Sequence, residues 1–340
     1  RIHLLHSDRL FYDTVIDPRA QILVGNVQFR HDDVLMFCDS ALFYEASNSL
    51  DAFGNVRMNQ GDTLSLAGDV LFYNGLDKLA RVRNNVVLVH GKTTLYTDSL
   101  DYDRLYNVGY FFEGGHLVTQ DNDMTSDWGE YRPETKVAVF NYNVHLVSPA
   151  PPQAARTTLL TDTLYYNTVT SVANARGPST IDDGGCHIYT ELGYMNSKNN
   201  DLTLLKRSEM SNDGKKLIGD SIVWNSVDSI GEAFGNVVYT DVLNKNAMTG
   251  NYCYYDDKAG YSLGTDSACI LDFSQGADTM YMHADSIKMY TFDIKTDSAY
   301  RTMHAFHHVR MYRKDMQGVC DSLFYTTKDS MMIMYKDPIV

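Results

Sequence analysis

The chain has no stretch of about 20 apolar residues, so no segment reads as a membrane-spanning helix. It is equally short of basic charge: 29 Lys and Arg stand against 43 Asp and Glu, a net charge of −14. Without a concentrated basic face it is not built to hold a phosphate backbone, which excludes nucleic acid as a partner. The acidic excess keeps a strand-rich surface soluble and discourages edge pairing. Five cysteines, Cys38, Cys186, Cys253, Cys269 and Cys320, form no Cys-x-x-Cys and lie in or beside apolar strand phrases, where Cys acts as a small apolar residue. Only His307-His308 and Cys186-His187 approach metal-ligand spacing. Neighbours on a strand point to opposite faces, so neither pair chelates through both members. No metal or other cofactor is expected. Gly-x-Ser-x-Gly, Walker and His-Glu-x-x-His motifs are missing, and no segment shows a 3.6-residue apolar stripe.

What the chain does have is one phrase, repeated: Asp, any residue, an aliphatic residue, any residue, then an aromatic. It reads Asp69–Tyr73, Asp98–Tyr102, Asp162–Tyr166, Asp220–Trp224 and Asp321–Tyr325, with looser copies at Asp8–Tyr12, Asp39–Tyr44, Asp127–Tyr131, Asn251–Tyr255 and Asp285–Tyr290. Tyr44, Tyr73, Tyr102 and Tyr131 fall 29 residues apart each time. A period of this size means stacked copies of one supersecondary unit. A second element follows each aromatic: Gly25-Asn26-Val27, Gly54-Asn55-Val56 and Gly235-Asn236-Val237, with degenerate forms at Asn84-Asn85-Val86, Gly115-His116-Leu117, Tyr142-Asn143-Val144 and His307-His308-Val309. Gly and Asn tolerate positive φ, so they are expected in a tight turn at the start of a strand. The apolar alternation behind them marks one face of that strand. The unit therefore reads strand, turn, strand, turn, and the whole chain is all-β.

The repeat is expected to run through residues 1–340 as one continuous domain of about ten units of 28–36 residues. The stretch Ser148-Pro149-Ala150-Pro151-Pro152 allows a break at 148–157. Tyr131 and Tyr166 are 35 residues apart, which favours a loop insertion there over an interdomain hinge. Neither end carries an atypical polar cap, so open sheet edges or further capping domains are expected there. Asp101 with Asp103, and Asp121 with Asp123, share a strand face as a glycosidase couple would. Acids repeated once per unit are architectural, however, and the recurring Asp is expected to accept a backbone N–H at a turn. The chain is not read as an enzyme.

Gly-Asn-Val, a short apolar strand and Asp-x-Leu-x-Tyr in alternation resemble the OstA/LptA family of lipopolysaccharide transport, in the Tyr- and Asp-rich style of Bacteroidetes OstA-like proteins. Ala52-Phe53-Gly54-Asn55-Val56-Arg57-Met58 and Ala233-Phe234-Gly235-Asn236-Val237 carry the likeness best, and it weakens over residues 170–215. The resemblance implies an elongated β-jellyroll of stacked antiparallel strands, folded into a V-shaped groove that holds acyl chains. It further implies a periplasmic bridge in the envelope of a Gram-negative bacterium. Its partners would be lipopolysaccharide or another acylated glycolipid, and other transport proteins or copies of itself, joined head to tail by β-augmentation. The groove lining is then expected at Val27, Phe29, Val56, Met58, Val86, Leu88, Val144, Leu146, Val237, Tyr239, Val309 and Met311. The same alternation also suits a structural or adhesive β-solenoid with a filled core that binds protein or glycan. A polysaccharide-active β-helix enzyme is a distant third.

Overall fold

A computed structural model describes residues 1–148, 156–199, 201–274, 278–293 and 298–340. Among these residues there are only strands and tight turns, and the strand pairs are antiparallel. The chain divides into two compact units, Arg1–Ala173 and Asn174–Val340. The expected break at 148–157 falls chiefly on residues 149–155, which lie outside the described residues.

Most strands are 11 or 12 residues long, as in Val34–Tyr44, Ser49–Gln60 and Leu64–Asn74 of the first unit and Lys215–Asn225 and Ile230–Asp241 of the second. This corrects the expected unit. Gly-Asn does not sit in a turn between strands but in the middle of one long strand. Both residues take positive φ: 74° and 47° at Gly54 and Asn55, 71° and 46° at Gly235 and Asn236. Asn84-Asn85, Tyr142-Asn143 and His307-His308 do the same. At the Gly115 copy the positive φ belongs to Gly114 instead. The pairing register shows why. Val24 faces Ser40 and Val27 faces Cys38, so Gly25 and Asn26 together oppose Asp39 alone. Phe53 and Val56 likewise straddle Asp69, because they face Val70 and Gly68. Two residues against one is a β-bulge, and it bends the strand that carries it.

The recurring Asp has a different partner from the one expected. In five copies its carboxylate accepts a side-chain amide from the bulge of the next long strand, and where a backbone N–H is the donor, from Asn85 to Asp98 at 3.3 Å, it too comes from a bulge and not from a turn. Asn55 Nδ2 donates to Asp39 at 2.8 Å, Asn85 to Asp69 at 2.7 Å, Asn143 to Asp127 at 2.6 Å and Asn236 to Asp220 at 2.9 Å. Asn26 and Asp8 repeat the bond at 3.0 Å. The Asn236 amide is the largest of the influences that lower the Asp220 pKa from its usual value, with Arg207 next. Where His307-His308 replaces Gly-Asn, His308 grips Asp285 at 2.8 Å and His307 approaches Asp321 at 3.3 Å. The histidine pair thus belongs to the clamp.

Bends stacked in register divide each unit into two layers. In the first unit, one layer holds the hairpins around residues 27–38, 56–68 and 86–97, and the other holds those around 40–53 and 70–83. Every long strand begins in one layer and ends in the other. Alternate side chains point between the layers: Val34, Met36 and Cys38 before the bend, Ala41 and Phe43 after it, all buried. Phe43, not Tyr44, takes the inward aromatic place in that copy, and the Tyr44 hydroxyl lies outside beside Asp17 and Asp51. The five cysteines are free, and burial pushes the Cys38 thiol up to about 12 and that of Cys253 to about 11.

Gly54 is doubly constrained, by its φ of +74° and because a Cβ there would stand 2.6 Å from Asp39 Oδ2. Gly54→Ala is therefore expected to destabilise the local bend by about 1–3 kcal/mol. Amide hydrogen exchange on the full chain checks this. Faster exchange should centre on 36–40 and 53–57, and unchanged exchange there would contradict the clamp.

Candidate functional site

The space between the layers is the one feature both units build from every strand. Its lining follows from the two-residue alternation on either side of each bulge. Of the positions expected from sequence, Val27, Phe29, Val56, Met58, Val86, Leu88, Val144 and Leu146 lie on the inner face of the first unit and are buried. Val237, Val309 and Met311 are buried on the inner face of the second, where Tyr239 is half-buried. All twelve belong to the layer that follows the bulge. The opposing row went unpredicted, although the repeat phrase spells it: the aliphatic and aromatic residues two and four places after Asp, such as Leu71 and Tyr73 or Leu100 and Tyr102, face inward and are buried. In the second unit Met282, Ala284, Val309 and Met311 from one layer cluster with Ile287, Met303 and Leu323 from the other. An alanine Cβ at Gly318 would lie 3.2 Å from Met311 and 3.3 Å from Met334, so opposite layers touch there.

The paired acids are committed elsewhere. Asp101 takes the Arg83 guanidinium at 2.7 Å, and Asp103 accepts the backbone N–H groups of Leu105 and Tyr106. Asp121 accepts the Ser171 hydroxyl at 2.6 Å.

Residues 1–151 match the family model described as OstA-like protein, and residues 108–213 match that described as lipopolysaccharide-assembly, LptC-related. The first of these matches covers the first 151 of the 340 residues, so the likeness to OstA-like proteins is shown for that part of the chain. A comparison with curated proteins finds no match. Among solved structures, it is similar to the crystal structure of LptH from Pseudomonas aeruginosa, described as the LptA homologous periplasmic component of the lipopolysaccharide transport device. The two are 10% identical, with a TM-score of 0.34 over 36% of this chain and 94% of that one.

The first unit, which holds most of the OstA-like match, carries a polar seam that sequence patterns did not flag. Each inward tyrosine reaches the far layer at the rim. Tyr73, only 1% exposed, meets His31 Nδ1 at 2.6 Å and accepts from Arg104 Nη1 at 2.6 Å, while Arg104 Nη2 reaches Asp33 at 2.8 Å. Tyr102 donates to Asn107 with Gln60 Oε1 at 3.5 Å. Tyr131 meets His90 Nδ1 at 2.9 Å, and Asn122 Nδ2 donates to the Tyr166 hydroxyl at 2.7 Å. Lys136 Nζ lies 2.9 Å from His90 Nε2 and has no lone pair, so that ring nitrogen is unprotonated. Burial, the largest cause, lowers the pKa of both His31 and His90; the Lys136 charge adds to it at His90.

Neutral histidines in the fold that would charge when unfolded make stability fall with acid. The seam is expected to weaken as pH drops below 6.5, the ordinary histidine value, toward the lowered folded values. Hydrogen exchange at pH 7.5 and 5.5 should show this loss in the first unit, reduced in a His31→Gln, His90→Gln double variant. Tyr73→Phe, which strands buried partners, should cost about 1–3 kcal/mol.

Proposed function

We infer that this chain is a non-enzymatic carrier or bridge for lipopolysaccharide, acting in the periplasm of a Gram-negative bacterium. Its acyl chains would lie between the two layers while sugar and phosphate stay in water. The observation that carries this reading is the pair of facing apolar rows in each unit. Burying acyl CH₂ groups there yields about 0.8 kcal/mol each, enough to hold a multi-chain lipid against the protein's own negative charge. The OstA-like and LptC-related matches support the same transport class. The repeat phrase runs through both units, which supports one continuous array over residues 1–340. Other lipopolysaccharide-transport proteins, or further copies of the chain joined head to tail, would dock by strand addition.

One observation favours the alternative, a structural or adhesive solenoid with a filled core. In the first unit the inward side chains are buried and the rim is hydrogen-bonded across. The two readings differ over which part of a glycolipid is held. Isothermal titration with intact lipopolysaccharide and with its fully deacylated form separates them. The carrier reading predicts that deacylation abolishes binding. Equal binding of both forms would overturn it in favour of a glycan-binding surface.

A further inference from the structure

The geometry points to a division of labour: the second unit alone takes the acyl chains, and the first is a closed, dry strut. This rests on the carrier reading above and says where in the chain that reading applies.

The inward place four residues after each clamp Asp samples the rim level by level. In the first unit Tyr12, just past the end of its short strand, is 68% exposed, and the levels stacked behind it hold Phe43, Tyr73, Tyr102, Tyr131 and Tyr166, none more than 6% exposed. In the second, beyond the buried Met195, it holds Trp224, Tyr255, Met289 and Tyr325. Tyr255 is 43% exposed and the other three are half-buried. On the facing layer Leu217, Tyr239 and Ile270 are half-buried too, while their neighbours Met248, Met282 and Met311 are covered and Val237 and Ala268 beside the bends are fully buried. Burial that is complete at the bend and incomplete at these rim positions describes a cleft with gaps along its mouth.

The closing bonds differ in the same way. Four levels of the first unit have a tyrosine or its turn joined across the rim to His31, Gln60, His90 or Asn122. In the second unit the Tyr255 hydroxyl donates to Asp257 in its own hairpin turn. Tyr239 and Tyr325 make no hydrogen bond to the opposite layer among the described residues. Opening the first unit would strand a buried guanidinium and two histidines, while opening the second breaks apolar contact and the attraction between Arg301 and the buried Asp241.

Composition follows the geometry. Twelve of the 15 methionines lie in residues 174–340, and the inner cluster there includes Met282, Met303 and Met311 with half-buried Met289, Met332 and Met334 against it. Methionine is unbranched and polarisable, so a methionine surface refits around chains of differing shape. The interior of the first unit holds only Met36, Met58 and Met124 and is built chiefly from Leu, Val, Phe and hydrogen-bonded Tyr, which hold one packing. An adaptable, half-covered interior suits flexible acyl chains, and a rigid sealed one does not.

The test uses the unaltered full chain and lipopolysaccharide carrying a diazirine at the end of an acyl chain, with adducts mapped by peptide mass spectrometry. The expected result is about tenfold more inner-face adduct in residues 174–340 than in 1–173, an occupancy ratio near 1.4 kcal/mol. Comparable inner-face adducts in both units, or more in the first, would overturn the division while leaving the carrier reading intact. Adducts confined to outer faces, or none, would remove the carrier reading itself.

Discussion

The structure depends on one bond, the Asp carboxylate that accepts a side-chain amide from the bulge of the next strand. Consecutive residues at positive φ are unfavourable for any residue with a Cβ, and only a fixed partner keeps a bulge at the same height in strand after strand. A charged acceptor makes that partner strong, roughly twice a neutral hydrogen bond. Because Asn55 holds Asp39 while its own strand opposes Asp69, each clamp ties the bend of one strand to that of its neighbour. Aligned bends turn a flat ribbon into two facing layers, and facing layers create an interior. Without them the alternating apolar rows would lie open to water on one side of a sheet.

Given that interior, the two units differ in how it is closed. The first places tyrosine hydroxyls, histidines and an arginine at its rim, where each polar group answers another across the gap. The second leaves its rim to methionine and aromatic side chains that pack without fixed directions. Hydrogen bonds specify one arrangement and are costly to leave unmade, whereas dispersion contacts tolerate rearrangement. One repeat phrase therefore supports a locked assembly in one half and a yielding one in the other.

Much of this was legible in the chain. The 29-residue spacing of Tyr73, Tyr102 and Tyr131 announced stacked units, and the alternation after Gly54-Asn55 placed Val56 and Met58 on an inner face. The position of Gly-Asn within its strand was not legible. Two adjacent residues at positive φ satisfy a tight hairpin turn and a mid-strand bulge equally well, so local chemistry could not choose. The partner of Asp39 stayed hidden for a related reason: it lies 16 residues away on another strand, and only register brings the two together. Phe43 and Tyr44 compete for one inward place, and a spacing rule picks Tyr44 while the pleat picks Phe43. The rim seam joins residues about 42 apart with varied side chains, His31 with Tyr73 and Gln60 with Tyr102, so it left no repeated word to find.

The most direct test of the central claim, that clamped bends enclose an apolar space used by acyl chains, is crystallographic. Crystals grown with lipopolysaccharide brominated on its acyl chains would locate the bromines by anomalous scattering. The account predicts bromine sites between the two layers, against inner-face residues such as Met289 and Met311. Bromines on outer faces only, beside residues such as Arg57 and Asn236, would contradict it.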